Sequence, residues 1–141
     1  MVRRAVVRCW CQDGERQIRR MRDFHRLEIW RRAHRLAMRI HDVARRWRGR
    51  EFAALRSQLT RSADSIAANI VEGCAAESER EFARFLAMSI KSASETEYHL
   101  LSAHDRSALP FREWEPLSRE AVEIRRMTYA YRKTLLDDNP N

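Results

Sequence analysis

Glycine and proline are scarce, with three of each in 141 residues. Sandwiches and barrels need turn residues at frequent intervals, so this scarcity excludes an architecture of many short strands and leaves long helices. No apolar run approaches the ~18 residues that a membrane-spanning helix requires. The basic N-terminus, Met1 to Arg8, is followed by no apolar h-region and no small-residue cleavage site. It does not read as a secretory signal, and the cytoplasm is the expected compartment. Cys9, Cys11 and Cys74 are odd in number, and the first two lie too close for ordinary disulfide geometry. No oxidised framework follows, and without a matching second pair no zinc site does either. Lysine is nearly missing too: 26 arginines stand against two lysines.

What is present suits one domain. Hydrophobic residues make up 44% and charged residues 34%, enough for a single core with a solvated exterior. The net charge of +8 is unevenly placed. Residues 1–20 hold six arginines against Asp13 and Glu15, and residues 24–48 hold eight against Glu28 and Asp42, so the rest of the chain is slightly acidic. Arginine in place of lysine suits bidentate phosphate recognition, although genomic base composition produces the same bias and is the stronger reading.

Residues 1–20 lack an apolar period and read as a basic, disordered extension. Residues 21–136 carry four helical segments joined by short connections, and residues 137–141 read as a frayed tail. In the first segment, about 24–47, Leu27, Ile29, Trp30, Ala33, Leu36, Ala37, Ile40, Ala44 and Trp47 fall on one arc. Gly49 is placed to stop it. The second segment starts near Glu51, sets Leu55, Leu59, Ser62, Ile66 and Ile70 in a heptad-like seam, and ends with Gly73 as its C′ residue. Ser78 to Glu81 reads as a capping box opening the third segment, which runs to about Ser102. After a break at 105–110, Pro116 suits the first turn of a fourth. The expected fold is all-α, an antiparallel up-and-down four-helix bundle.

The run Ser65-Ile66-Ala67-Ala68-Asn69-Ile70-Val71-Glu72-Gly73 resembles the Ser-Ile-x-x-Asn-Ile-x-Glu-Gly signature of the 23S rRNA intervening-sequence proteins. Leu27-Glu28-Ile29-Trp30 with Ala33 is similar to that family's opening, and Ser78, Glu81-Phe82, Phe85-Leu86 and Ser94-Glu95 are similar to its third helix. The likeness runs from about Phe24 to Leu101 and more loosely beyond. It implies an up-and-down bundle assembling as a homopentamer with a central channel, and no catalytic activity. Members are encoded within intervening sequences of ribosomal RNA genes. A related branch, the accessory variability determinants of diversity-generating retroelements, binds a reverse transcriptase and nucleic acid. The leader is extra relative to the family, and Asp105 to Leu109 stand where it usually has Gly-Tyr.

No catalytic constellation, cofactor motif or metal-ligand spacing is found. His34 and His41 are seven residues apart, which suits packing better than metal binding, and the residue three before His99 is Thr96, so the Glu-x-x-His motif of di-iron bundles is missing. Asn69 and Glu72 are polar positions in an otherwise apolar helix; with Ser65, Ser94 and Glu95 they are expected to form a polar network setting helix register or subunit packing, in preference to a ligand site. Opposite the apolar arc, Arg31, Arg32, Arg35, Arg39 and Arg46 form a basic stripe. Alone, such a stripe is more often a solvated helix face. Repeated five times in a pentamer it becomes a field able to collect phosphates, so binding of RNA, DNA or a nucleic-acid enzyme is the expected function, with a purely structural self-assembly module as the alternative.

Overall fold

The computed structural model describes residues 22–138. The extension expected at 1–20 and the last three positions of the tail lie outside the described residues. Among the described residues there are four α-helices and no strand: α1 (Glu28–Ala44), α2 (Ala53–Cys74), α3 (Glu79–Asp105) and α4 (Phe111–Asp137). Short 3-10 turns at Phe24–Arg26 and Arg50–Phe52 precede α1 and α2. Each helix packs on the two beside it, α1 on α2 and α4, α3 on α2 and α4, so α1 and α3 stand at opposite corners of a four-helix bundle. No described helix is long and apolar enough to cross a membrane.

The apolar stripes meet in one core. Ile29, Ala33, Leu36, Ala37, Ile40 and Ala44 of α1 are buried, and so is the whole expected seam of α2. Phe82, Leu86, Ala93 and Leu100 of α3 and Leu117, Ala121, Ile124 and Leu135 of α4 complete it. The sequence periodicity thus reported the buried faces correctly, because burial of a stripe every three to four residues is what selects the helices.

The helix ends are less simply written. The α1 helix is shorter than the arc that predicted it. Leu27 is extended and Asp23 caps the separate turn before it, accepting from the His25 amide at 3.1 Å. At the other end Arg56 of α2 donates to the Ala44 carbonyl at 3.0 Å and to that of Trp47, satisfying acceptors that a terminating helix leaves open. Gly49 does supply a positive φ, 103°, but beyond the helix, where it turns the chain into the next 3-10 turn.

Gly73 is not a C′ residue. It lies inside α2, buried, with no positive φ; its role is steric. A Cβ there would stand 2.5 Å from Cδ2 and 2.9 Å from Cε2 of the buried Phe82 ring, so only glycine lets α3 begin this close to α2. Ser78 caps α3 as expected, its Oγ accepting from the Glu81 amide at 3.1 Å. The Glu81 carboxylate reaches one residue further than a standard capping box and accepts from the Glu77 amide at 3.1 Å.

The α3 helix runs to Asp105 and closes in a Schellman motif. Ala108 N–H bonds to the Ala103 carbonyl at 2.9 Å and Ser107 N–H to that of His104 at 3.0 Å, with Ser107 at φ 65° in the position usually held by glycine. Helix α4 then begins at Phe111, ahead of the expected start, so Pro116 lies past the first turn. Pro110 supplies the extended N-cap, and its carbonyl accepts from Glu113 and Trp114.

Two substitutions should therefore move stability in opposite directions. Gly73→Ala gains helix propensity of ~1 kcal/mol but forces Phe82 out of place, and overpacking costs ~1–3 kcal/mol, so a net loss is expected in urea unfolding and relief on adding Phe82→Leu. Ser107→Gly removes the side chain from a left-handed position and should stabilise by ~0.5–1 kcal/mol in the same assay.

Candidate nucleic-acid interface

The outward face of α1 carries Arg31, Arg32, Arg35 and Arg39, while Arg46 of the expected stripe lies in the turn just after the helix, and the five guanidinium groups are not equivalent. Arg32 is bound by Glu120 of α4 in a bidentate pair, both contacts 2.7 Å, and also donates to Met127 Sδ at 3.1 Å. About a quarter of each side chain is exposed, 26% for Arg32 and 24% for Glu120. The pair is a strut between α1 and α4, and the carboxylate's hydrogen bonds hold the guanidinium protonated more firmly than usual. Arg46 reaches Glu113 at 3.0 Å from an exposed position. Arg31 donates to the His25 carbonyl at 2.8 Å and lies 3.5 Å from Glu28, tying the first 3-10 turn to the helix.

Arg35 and Arg39 differ. Both are exposed, and neither makes a hydrogen bond or ion pair with any described residue. They lie one turn apart and share the wall of a shallow depression of about 290 Å³ with Glu28, Arg32, Leu36 and Glu120. Because Arg32 already neutralises Glu120, the charge offered to solvent there is mainly that of Arg35 and Arg39. Arg48 and Arg50, in the connection after α1, are exposed and equally without a described partner; sequence reasoning passed over them because they fall outside the helical period. Arg61, Arg80 and Arg112 are unpaired as well, but singly, on other elements. What sets the α1 pair apart is its repetition along one helix face.

Within the chain, the expected polar network does not form. Asn69 Nδ2 donates to the Ser65 carbonyl at 2.8 Å, inside its own helix. Ser94 Oγ donates to the Ile90 carbonyl and accepts from Arg125, while Glu95 lies 3.3 Å from His99. Glu72 is exposed with no described partner. These five residues sit on the outer sides of α2 and α3, since the seam buries the positions between them. Among the described residues the buried polar side chains are the hydroxyls of Ser62, Ser89, Thr96 and Thr128 and the ring of His99: Thr96 donates to Ser62 Oγ at 3.0 Å across the α2/α3 contact, and Ser89 to the Ile66 carbonyl at 2.9 Å. Ser62 is the polar member of the α2 seam, and Ser89 falls on the α3 stripe with Phe82, Leu86 and Ala93; Thr96, which continues the same spacing toward Leu100, is the buried hydroxyl that the sequence reading did not single out.

The family described as 23S rRNA-intervening sequence protein matches residues 25–130, from the first 3-10 turn through most of α4. The chain belongs to this family. Among solved structures it is similar to a protein of unknown function from the S23 ribosomal protein family of Bacteroides thetaiotaomicron VPI-5482. The TM-score is 0.68 at 25% identity, over 74% of this chain and 98% of that one. No curated protein matches it. The family match takes in all five stripe arginines and the α2 signature, so the basic face belongs to the family-matched body of the bundle.

Titratable groups offer no competing centre. No group of three or more His, Cys, Asp or Glu suited to a metal ion occurs among the described residues. His41 pairs with Asp64 at 2.9 Å, and His34 packs on Trp30, so the two histidines face different partners. At the end of the bundle where α1 begins, Arg22 ties the chain down: its amide donates to the Cys74 carbonyl at 3.2 Å, while its guanidinium binds Glu79, donates to Tyr131 Oη at 3.1 Å and covers the Phe82 ring. Cys74 is buried beside it, and burial pushes the thiol up to about 11 against the pull of the Arg22 charge. Burial raises Tyr131 likewise.

These raised values set a pH dependence. Below the unfolded thiol pKa, about 8.5, the buried thiol is neutral in both states and its full contribution is present. Above it the unfolded chain loses protons that the folded chain keeps, so stability falls as pH rises toward the folded value of about 11. Urea midpoints should drop across this window, with a shallower drop for Cys74→Ala; a flat profile would refute the assignment.

Proposed function

We propose that the protein is a non-enzymatic homo-oligomer, pentameric in its working form and cytoplasmic, that offers the outer face of α1 to nucleic acid or to a nucleic-acid-handling protein such as a reverse transcriptase. The observation that carries this reading is the pair Arg35 and Arg39, exposed, one turn apart and without a partner among the described residues. Cations left unpaired on a rigid helix are free to replace condensed counterions on a phosphate backbone. Two such groups bind weakly by themselves, and five copies in one ring multiply them into a useful field.

Assembly has its own support in the residues that the core does not use. Met88, Tyr98 and Leu101 of α3 are 42%, 65% and 42% exposed. Ser65, Asn69 and Glu72 on α2 and Glu95 on α3 lie on the outer sides of the same two helices, so subunit packing is the part of the expected polar network that this proposal retains. Association through α2 and α3 leaves α1, at the corner opposite α3, turned outward. A link to diversity-generating retroelements follows from the resemblance of the sequence to their accessory determinants, and a reverse transcriptase is the protein partner it implies.

A second reading, a structural module with no nucleic-acid partner, is favoured by the internal pairing of Arg31, Arg32 and Arg46. Arg35→Gln with Arg39→Gln separates the two. Under the proposal the double variant keeps its helicity and mass, binds RNA or DNA more weakly, and shows a salt slope smaller by about two. Unchanged affinity at several salt concentrations would favour the structural module. Light scattering should give five times the 16.8 kDa chain mass, and Tyr98→Asp should lower it; a monomeric wild type would remove the assembly.

A further inference from the structure

The arginines are one part of the α1 surface, and a run of rings is the other. Trp30 and His34 lie parallel, 6° between planes and 5.2 Å between centroids. Phe24 and His25 meet Trp30 edge-on at 4.8 and 5.3 Å. Trp30 is half-buried, whereas His25 and His34 are exposed. One face of His34 therefore rests on the indole, and nothing else among the described residues makes a ring contact, hydrogen bond or ion pair with it.

The rings and the cations share one surface. His34 lies on the α2 side of α1, two turns before His41, which pairs with Asp64 of α2. Arg32, Arg35 and Arg39 line the depression on the α4 side with Glu28 and Glu120. At ~100° per residue, Arg35 is about 100° and Arg39 about 140° around the helix from His34, with Arg31 at about 60° but already held by the His25 carbonyl and Glu28; Arg35 is therefore the nearer free guanidinium, and Arg39 lies further round the same outward face. Arg35 and Arg39 are separated by a rise of about 6 Å, a distance suited to successive phosphates of an extended strand.

A pre-stacked ring next to a short cationic track is what an unpaired strand needs. Its bases have free π-faces and its backbone takes the charge. A duplex keeps its base faces inside its own stack and has nothing to lay on His34. The indole behind the imidazole also holds that ring in place, so little side-chain freedom is lost when a base covers it. Resting on the nucleic-acid reading above, we infer that α1 binds single-stranded nucleic acid, with a base stacked on the open face of His34 and flanking phosphates held by Arg35 and Arg39.

Fluorescence anisotropy of the full chain with three labelled probes of equal length tests this: oligothymidylate, an abasic strand, and a duplex. The wild type should prefer oligothymidylate to both others. His34→Ala, whose fold is verified by circular dichroism, should bind oligothymidylate roughly fivefold to a hundredfold more weakly and the abasic strand as before, and His34→Phe should restore the preference. Arg35→Gln should weaken both single strands alike. Wild-type affinity in His34→Ala, or preference for the duplex, would overturn the inference; if Arg35→Gln still weakened binding, the basic-face reading would stand without it. No binding of any probe by the wild type would sink both.

Discussion

The bundle depends on how closely α2 and α3 approach. Ala63, Ala67 and Gly73 of α2 and Ala83, Ser89 and Ala93 of α3 are all buried, and the ring of Phe82 occupies the space that a Cβ at position 73 would need. At such separations a hydroxyl fits where a longer chain does not, and a buried hydroxyl must find an acceptor. Hence Thr96 meets Ser62, and Ser89 meets the Ile66 carbonyl. This contact between small residues sets the spacing against which the larger side chains of α1 and α4 fill the remaining core.

That spacing also divides the charge. The α1 helix is the shortest of the four, and its flanks touch α2 and α4. Basic residues on the flanks meet carboxylates on the neighbouring helix, as Arg32 meets Glu120, or lie within reach of the next loop or helix, as Arg46 meets Glu113. Residues midway between the flanks, Arg35 and Arg39, meet no carboxylate among the described residues. A stripe that looks uniform along the sequence is therefore resolved into struts and free cations by nothing more than angular position.

Most of the fold was legible in the residues. Helical periodicity located the four buried stripes, and Ser78 with Glu81 marked the start of α3. The ends were harder, because an end is often satisfied from elsewhere in the bundle. Arg56 closes α1 from α2, and no spacing within α1 announces it. Gly73 carried a real signal, a required absence of side chain, but a left-handed cap and a close helix contact demand the same residue. Ser107 shows the converse, a left-handed position without glycine. The polar positions of the α2 signature suggest interior groups by their place in an apolar run, whereas the seam turns Asn69 partly and Glu72 wholly outward.

By itself, the sequence determined the class of fold, the family to which the chain belongs and the segment that holds the surplus of arginine. These follow from composition and from periods of three to four residues, which are local properties of a chain that cannot fold without burying its apolar stripes. Only the tertiary structure decided which arginines are held by Glu120 and Glu113, which hydroxyls are buried, and that His34 lies flat on Trp30. Those outcomes depend on distances between atoms remote in the chain, and charge or ring pairing falls away within a few ångströms.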